Sequence, residues 1–233
     1  LLVPLLRGRA QQGWLLLLPA SVLALVFSLD PGDYGAVRFM GVDLVLMRVD
    51  ALSLVFVSVF AIITLIGAIF ALHLRDDAQH VAALAYAGSA IGAVLAGDLL
   101  TLYVFWELMV FASVWLIWCR RNHASMAAGF RYLLVHAFGG VVLLAGVVLH
   151  HLETGSLAFD TIAPGGAAFY LILVGFMINA AVPPLHAWLA DAYPEATVTG
   201  AIFMSALTTK TAVYALLRGY PGTELLVWVG VAM

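Results

Sequence analysis

The chain is poor in charge and in the residues that carry redox or metal chemistry. Only 10% of its 233 residues are Asp, Glu, Lys or Arg. Cys119 is the single cysteine, which excludes an internal disulfide and a thiolate set for an iron–sulfur cluster. Lys210 is the single lysine, and no run of basic residues occurs. With a formal net charge of -3, the chain is not expected to have a nucleic-acid partner. There is no Gly-rich nucleotide loop and no metal-ligand cluster. A haem would need a second histidine facing His136 at matching depth, and His150 and His151 lie too close to the membrane edge on the same helix. No cofactor or metal is therefore expected. The charged start and small-residue cleavage site of a signal peptide are also missing. The chain opens "LLVPLLRGR" and closes "ELLVWVGVAM", which reads as a fragment or split gene product cut inside a helix at each end.

What abounds is apolar. Hydrophobic residues make up 64% of the chain and the mean hydropathy is +1.08; soluble domains are about 45–50% apolar. The composition is that of an all-α polytopic integral membrane protein. Runs of about 20 apolar residues recur, each long enough to cross a core of about 30 Å. They place a truncated helix at 1–6, spans near 14–29, 51–72, 81–97, 99–118, 127–150, 168–193 and 197–218, and a further helix from 224. Between the first two spans, "DPGDYGAVRFMGVDLVLMRVD" (30–50) mixes turn residues with alternating stretches and predicts an extramembrane β-hairpin. Threading the spans puts Arg7, Arg9, Arg75, Arg120, Arg121 and Arg131 on one side and Arg38, Arg48 and Arg218 on the other. The richer side is expected to be cytoplasmic.

One span cannot be regular. In "GFMINAAVPPLHAWLADAYPEATVTG" the pair Pro183 and Pro184 lies near mid-span, where each ring removes an amide donor and clashes with the preceding turn. A broken helix in lipid survives only against protein or a wet cavity, and such breaks form ion or substrate sites in transporters. His186, two residues on, is expected to satisfy carbonyls freed by the break.

Several polar groups fall at membrane depth. Glu107 sits about nine residues from either end of "LLTLYVFWELMVFASVWLIW" (99–118). A charge at that depth costs at least about 2.5 kcal/mol. It reads either as a proton carrier tuned by a neighbouring cation or as a permanently protonated group bonded to another helix. Lys210, inside "AIFMSALTTKTAVYALLR" (201–218), reads as an ion-path residue or as a side chain snorkelling to the interface. His136 in "FRYLLVHAFGG" (130–140) suits either a proton relay or a neutral interhelical hydrogen bond. The hydroxyls of Ser205, Thr208, Thr209 and Thr211 around Lys210 bond to it, to water or back to their own helix.

With these residues in place, "LYVFWELM", "PPLHAWLADAYPEATVTGA" and "LTTKTAVYALLR" resemble the segments of the antiporter-like subunits shared by Mrp-type sodium/proton antiporters and the membrane arm of respiratory NADH-quinone oxidoreductase. The likeness runs from about residue 50 onward, and "DAYPEA" is most similar to the Mrp D-type branch. The resemblance implies a helix bundle with inverted five-helix repeats, each holding a broken helix. Here the first repeat would occupy 81–218, after N-terminal helices in 1–80 and before a further helix starting in 219–233. It implies a proton pathway through Glu107, the family's glutamate, and Lys210, with His136 and Asn179 as polar links. The broken-helix site would be Pro183, Pro184 and His186. Asn179 departs from the pattern, because relatives carry a lysine there. The expected function is proton translocation in a multisubunit complex of the bacterial inner membrane, foremost Mrp-type Na+/H+ antiport. The alternatives are a non-conducting scaffold and a membrane component of a redox pump or of an inorganic-carbon uptake complex. The expected partners are other membrane subunits, protons, sodium and the bilayer; enzyme catalysis is not expected.

Overall fold

The computed structural model describes residues 3–39 and 41–233, so Leu1, Leu2 and Met40 lie outside it. Of the helix expected at 1–6, residues 1 and 2 lie outside the described residues and Val3–Leu5 forms a 3-10 turn, which is followed by α1 (Arg9–Val26). The expected hairpin follows as β1 (Gly32–Phe39) and β2 (Val42–Val49), antiparallel with Gly32 opposite Val49 and Phe39 opposite Val42. Then come α2 (Ala51–Ala71), α3 (Asp77–Leu95), α4 (Leu99–Trp118) and α5 (His123–Thr154). Among the described residues, these four and the stretch Val198–Gly219 are the five helical stretches long enough and apolar enough to cross a membrane.

The helix starts follow from local chemistry. Asp50, Asp76, Asp98 and Asn122 each hold an extended backbone conformation and accept a hydrogen bond from an amide of the first turn of α2, α3, α4 and α5 respectively. Such a side chain satisfies a donor that the helix itself leaves free, worth about 1 kcal/mol. Asp98 does more. Its Oδ2 accepts from the Val45 amide at 3.0 Å, and the Gly97 amide donates to Val45 O at 3.0 Å, which docks the hairpin on the α3–α4 turn. Gly97 must be glycine for this: a Cβ would stand 2.8 Å from Val45 O.

Three of the long helices, α2, α4 and α5, leave an apolar stripe uncovered. On α4 it is Val104, Leu108, Phe111 and Trp115; on α5 it includes Phe130, Leu134, Phe138 and Val141. Steps of three and four residues keep these on one helical face, as a surface meeting lipid requires.

Ion pairs sort the two ends of the bundle as the loop threading did. Arg121 pairs with Asp76 at 2.8 Å, Arg120 with Glu195 at 3.3 Å, and Arg131 clasps Asp191 with two bonds of 2.7 Å. At the hairpin end Arg48 bridges Asp33 (2.9 Å) and Asp160 (2.7 Å), and Arg218 meets Asp50 at 2.6 Å.

The last two expected spans are both interrupted. The stretch 168–193 divides into α6 (Gly166–Asn179), an irregular segment, and α7 (Ala187–Ala192) leading to a 3-10 turn at Tyr193–Glu195. The stretch 197–218 divides at Leu207 into α8 (Val198–Ala206) and α9 (Thr208–Gly219). The chain continues into α10 (Glu224–Ala232).

Candidate functional site: a carboxyl and two helix breaks

Glu107 is the ninth of the twenty residues of α4. It is half-buried, and its Oε1 is a buried atom with no hydrogen-bond partner among the described residues. The carboxyl fits a notch in α5. A Cβ on Gly140 would lie 2.1 Å from Oε1, so only glycine leaves that room. Beside it an apolar cavity of about 250 Å³ is walled by Val110, Phe111, Phe130, Leu133, Leu134 and Ala137.

One turn before Gly140 on the same face of α5 stands His136, since residues four apart on a helix are neighbours. His136 is buried, and its Nδ1 lies 2.5 Å from Asn179 Oδ1. The amide oxygen only accepts, so the proton of this bond sits on Nδ1. His136 Nε2 and Asn179 Nδ2 are left buried with no partner among the described residues. Buried polar atoms are nearly always satisfied, so three orphaned ones within one region call for an explanation. Asn179 is the last residue of α6 and couples the first break to α5.

That break is not held by His186. His186 and both prolines are exposed, whereas the indole of Trp188 donates to Ile178 O at 2.9 Å and thus satisfies a carbonyl at the end of α6. Trp188 also packs edge-on against His136 at 4.5 Å and Tyr132 at 5.6 Å. Its indole is better placed because α7 turns it inward, whereas His186 is exposed. At the start of the break Ala181 takes a left-handed conformation (φ 58).

The second break, at Leu207, contains neither proline nor glycine. Two tyrosines from elsewhere hold the ladder open. The Tyr193 hydroxyl donates to Met204 O at 2.7 Å, and the Thr208 amide donates to the Tyr86 hydroxyl at 3.0 Å. Tyr86 also meets Thr208 Oγ1 at 2.5 Å. Lys210 completes the arrangement: its ammonium donates to Ser205 O at 2.7 Å and Thr209 Oγ1 at 3.2 Å, and its side chain is exposed on the surface of the bundle. Lys210 therefore serves the second break and is not paired with Glu107. Of the expected site residues, Glu107, His136 and Asn179 share one region, Lys210 belongs to another, and Pro183, Pro184 and His186 line the outside of the first break. Tyr86, Trp188 and Tyr193 were not expected. Their hydroxyl and indole groups are the sequence signal, which acquires meaning only beside two opened ladders.

Residues 96–229, which contain Glu107, both breaks and Lys210, match the transmembrane family described as NADH:quinone oxidoreductase/Mrp antiporter. The chain belongs to the NADH:quinone oxidoreductase/Mrp antiporter family. Within it, the chain is 32% identical over 205 residues to the A/B component of a probable K(+)/H(+) antiporter of Rhizobium meliloti, covering 78% of this chain and 20% of that one. It is 31% identical over 191 residues to the A component of the Na(+)/H(+) antiporter of Alkalihalophilus pseudofirmus, covering 74% of this chain and 24% of that one. These are A-type and A/B-type components, and the D branch expected from "DAYPEA" is not specifically supported by them. Among solved structures, a chain of respiratory complex I from Thermus thermophilus superposes with a TM-score of 0.82 at 25% identity, over 98% of this chain and 52% of that one. The chain thus spans about a quarter or less of these curated relatives, and the antiporter-like fold is shared with both Mrp and complex I subunits.

Proposed function

We propose that this chain carries part of a proton pathway in a multisubunit cation/proton antiporter of the Mrp type, embedded with partner subunits in a bacterial plasma membrane. One observation carries the reading: the Glu107 carboxyl, mid-span, has an unpartnered buried oxygen one turn of α5 away from the unpartnered Nε2 of His136. A carboxyl able to bind and release a proton beside an imidazole able to accept one is a minimal relay. Water reaching these orphaned atoms would satisfy them and link carboxyl to imidazole. Asn179, in place of the lysine of relatives, holds His136 in the tautomer whose Nε2 is free to accept. Lys210 acts at the second break, where its charge faces whatever covers α9. The names of the relatives favour sodium or potassium as the coupled ion.

The test is Glu107→Gln in the full-length protein within its complex. Glutamine keeps the shape and hydrogen bonding of a protonated glutamate and releases no proton. Assembly should persist while cation-dependent proton movement in inverted vesicles stops. Full transport by an assembled Glu107→Gln complex would instead support a scaffold that keeps the fold without conducting.

A further inference from the structure

At the bundle end that carries Arg120 and Arg121, a cavity of about 590 Å³ opens between the start of α1 and the α2–α3 turn. Arg7, Arg9 and Arg75 line it, with His73, His80 and Asp77. Its walls are tied together by hydrogen bonds. Gln11 Nε2 donates to Asp77 Oδ1 at 2.6 Å and to Val3 O at 3.2 Å, and Gln12 Nε2 donates to Leu72 O at 3.3 Å. His73 Nδ1 lies 2.7 Å from Phe70 O, and His80 Nε2 lies 3.3 Å from Leu74 O.

The three guanidiniums are different. Among the described residues every other arginine is in an ion pair: Arg38, Arg48, Arg120, Arg121, Arg131 and Arg218. Arg7, Arg9 and Arg75 are in none, and all three are exposed around one cavity. Among the described residues lining it the one carboxylate, Asp77, is already engaged by Gln11. The cavity therefore offers several guanidinium N–H donors and a net positive charge to an anion, in a fork geometry that suits phosphate.

Its position narrows the source. Arg9 is the first residue of α1 and α2 ends at Ala71, so the cavity lies where helices meet the membrane boundary. Just inside, α2 exposes Ile66, Ile69 and Phe70, and α1 exposes Leu17. Cations at the rim above an apolar face match a phosphate head joined to acyl chains, and basic pockets at the cytoplasmic surface attract acidic lipids.

We propose that this cavity binds the phosphate of an acidic phospholipid, with the acyl chains lying on the exposed face of α1 and α2. The proposal is independent of the proton pathway, since it uses none of its residues. The test uses the full-length protein in its complex, in phosphatidylcholine nanodiscs carrying photoactivatable phosphatidylglycerol. Adducts should map to 6–15 and 72–80 and should be absent with photoactivatable phosphatidylcholine. Each of Arg7→Gln, Arg9→Gln and Arg75→Gln should lower adduct yield about fivefold, and the triple variant about 100-fold. The three arginine-to-lysine substitutions together should keep most of the yield. Arg38→Gln, at the exposed hairpin, is the bulk-charge control and should change nothing. Should the triple variant fail to assemble, the single variants decide, because each side chain is exposed. Millimolar inorganic phosphate should compete weakly. Full displacement by phosphate would identify a soluble anion as the occupant and overturn the lipid, as would unchanged labelling in the three single variants or an equal loss in Arg38→Gln.

Discussion

Gly140→Ala tests the carboxyl's placement without touching the carboxyl. An added Cβ would stand 2.1 Å from Glu107 Oε1, about 1.3 Å short of the 3.4 Å at which ordinary contact begins. The obstructed atom is the end of a flexible side chain, with an apolar cavity of about 250 Å³ beside it. The carboxyl should therefore swing aside by more than 1 Å, and α5 should stay in place. The helix itself should not suffer, because alanine is a better helix former than glycine by about 1 kcal/mol. If the carboxyl could not move, the overpacking would cost about 1–3 kcal/mol and would appear as lost assembly. Displacements near 1 Å in a reacting group cost on the order of 100-fold in rate. The expected result is a complex of normal abundance whose proton transport falls by about that factor. Glu107→Asp, which withdraws the carboxyl by one methylene, should recover part of it in the Gly140→Ala background while impairing the wild type. Cation-induced pH change in inverted vesicles measures all four proteins, normalised to assembled complex. Wild-type transport by Gly140→Ala would show that the notch does not position the carboxyl, and the relay with His136 would have to be given up.

Tyr86→Phe should destabilise the protein by about 1–3 kcal/mol, since it strands the buried Thr208 amide; thermal unfolding in detergent reads this, and an unchanged midpoint would mean the second break is not held by that hydroxyl. At the hairpin end, burial pushes the Asp50 carboxyl up, but the Ser53 amide and Arg218 outweigh it and hold it below the ordinary 3.8. Its folded value being the lower one, this contribution is complete above pH 3.8 and fades as pH falls through the folded value. The gap in thermal stability between wild type and Asp50→Asn should accordingly be largest near neutrality and narrow below about pH 4. Orientation is checked in a Cys119→Ser background, where an impermeant thiol reagent added outside whole cells should label Asp33→Cys and spare Arg121→Cys; the opposite pattern would reverse the topology.

Much of this architecture is written locally. Apolar runs, aspartate or asparagine at helix starts, the alternation of 42–49 and the proline pair each act through near neighbours, so α2 to α5, the hairpin and the first break follow from sequence. So do the mid-span depth of Glu107 and the family. The charged loops also sort into two ends, because arginines that share an end of the bundle meet carboxylates there. What only the tertiary structure decided is where long-range partners fall. His136 finds Asn179 across 43 residues, and Tyr86 finds Thr208 across 122. The second break has neither proline nor glycine to announce it: the threonines around Leu207 weaken a helix only slightly, and the ladder opens because hydroxyls on other elements take Met204 O and the Thr208 amide. Trp188 displaces His186 for the same reason, since a freed carbonyl goes to the donor that packing turns toward it. Periodicity fixes which face of a helix is buried, but the partner of a polar group on that face depends on how the helices are set against one another.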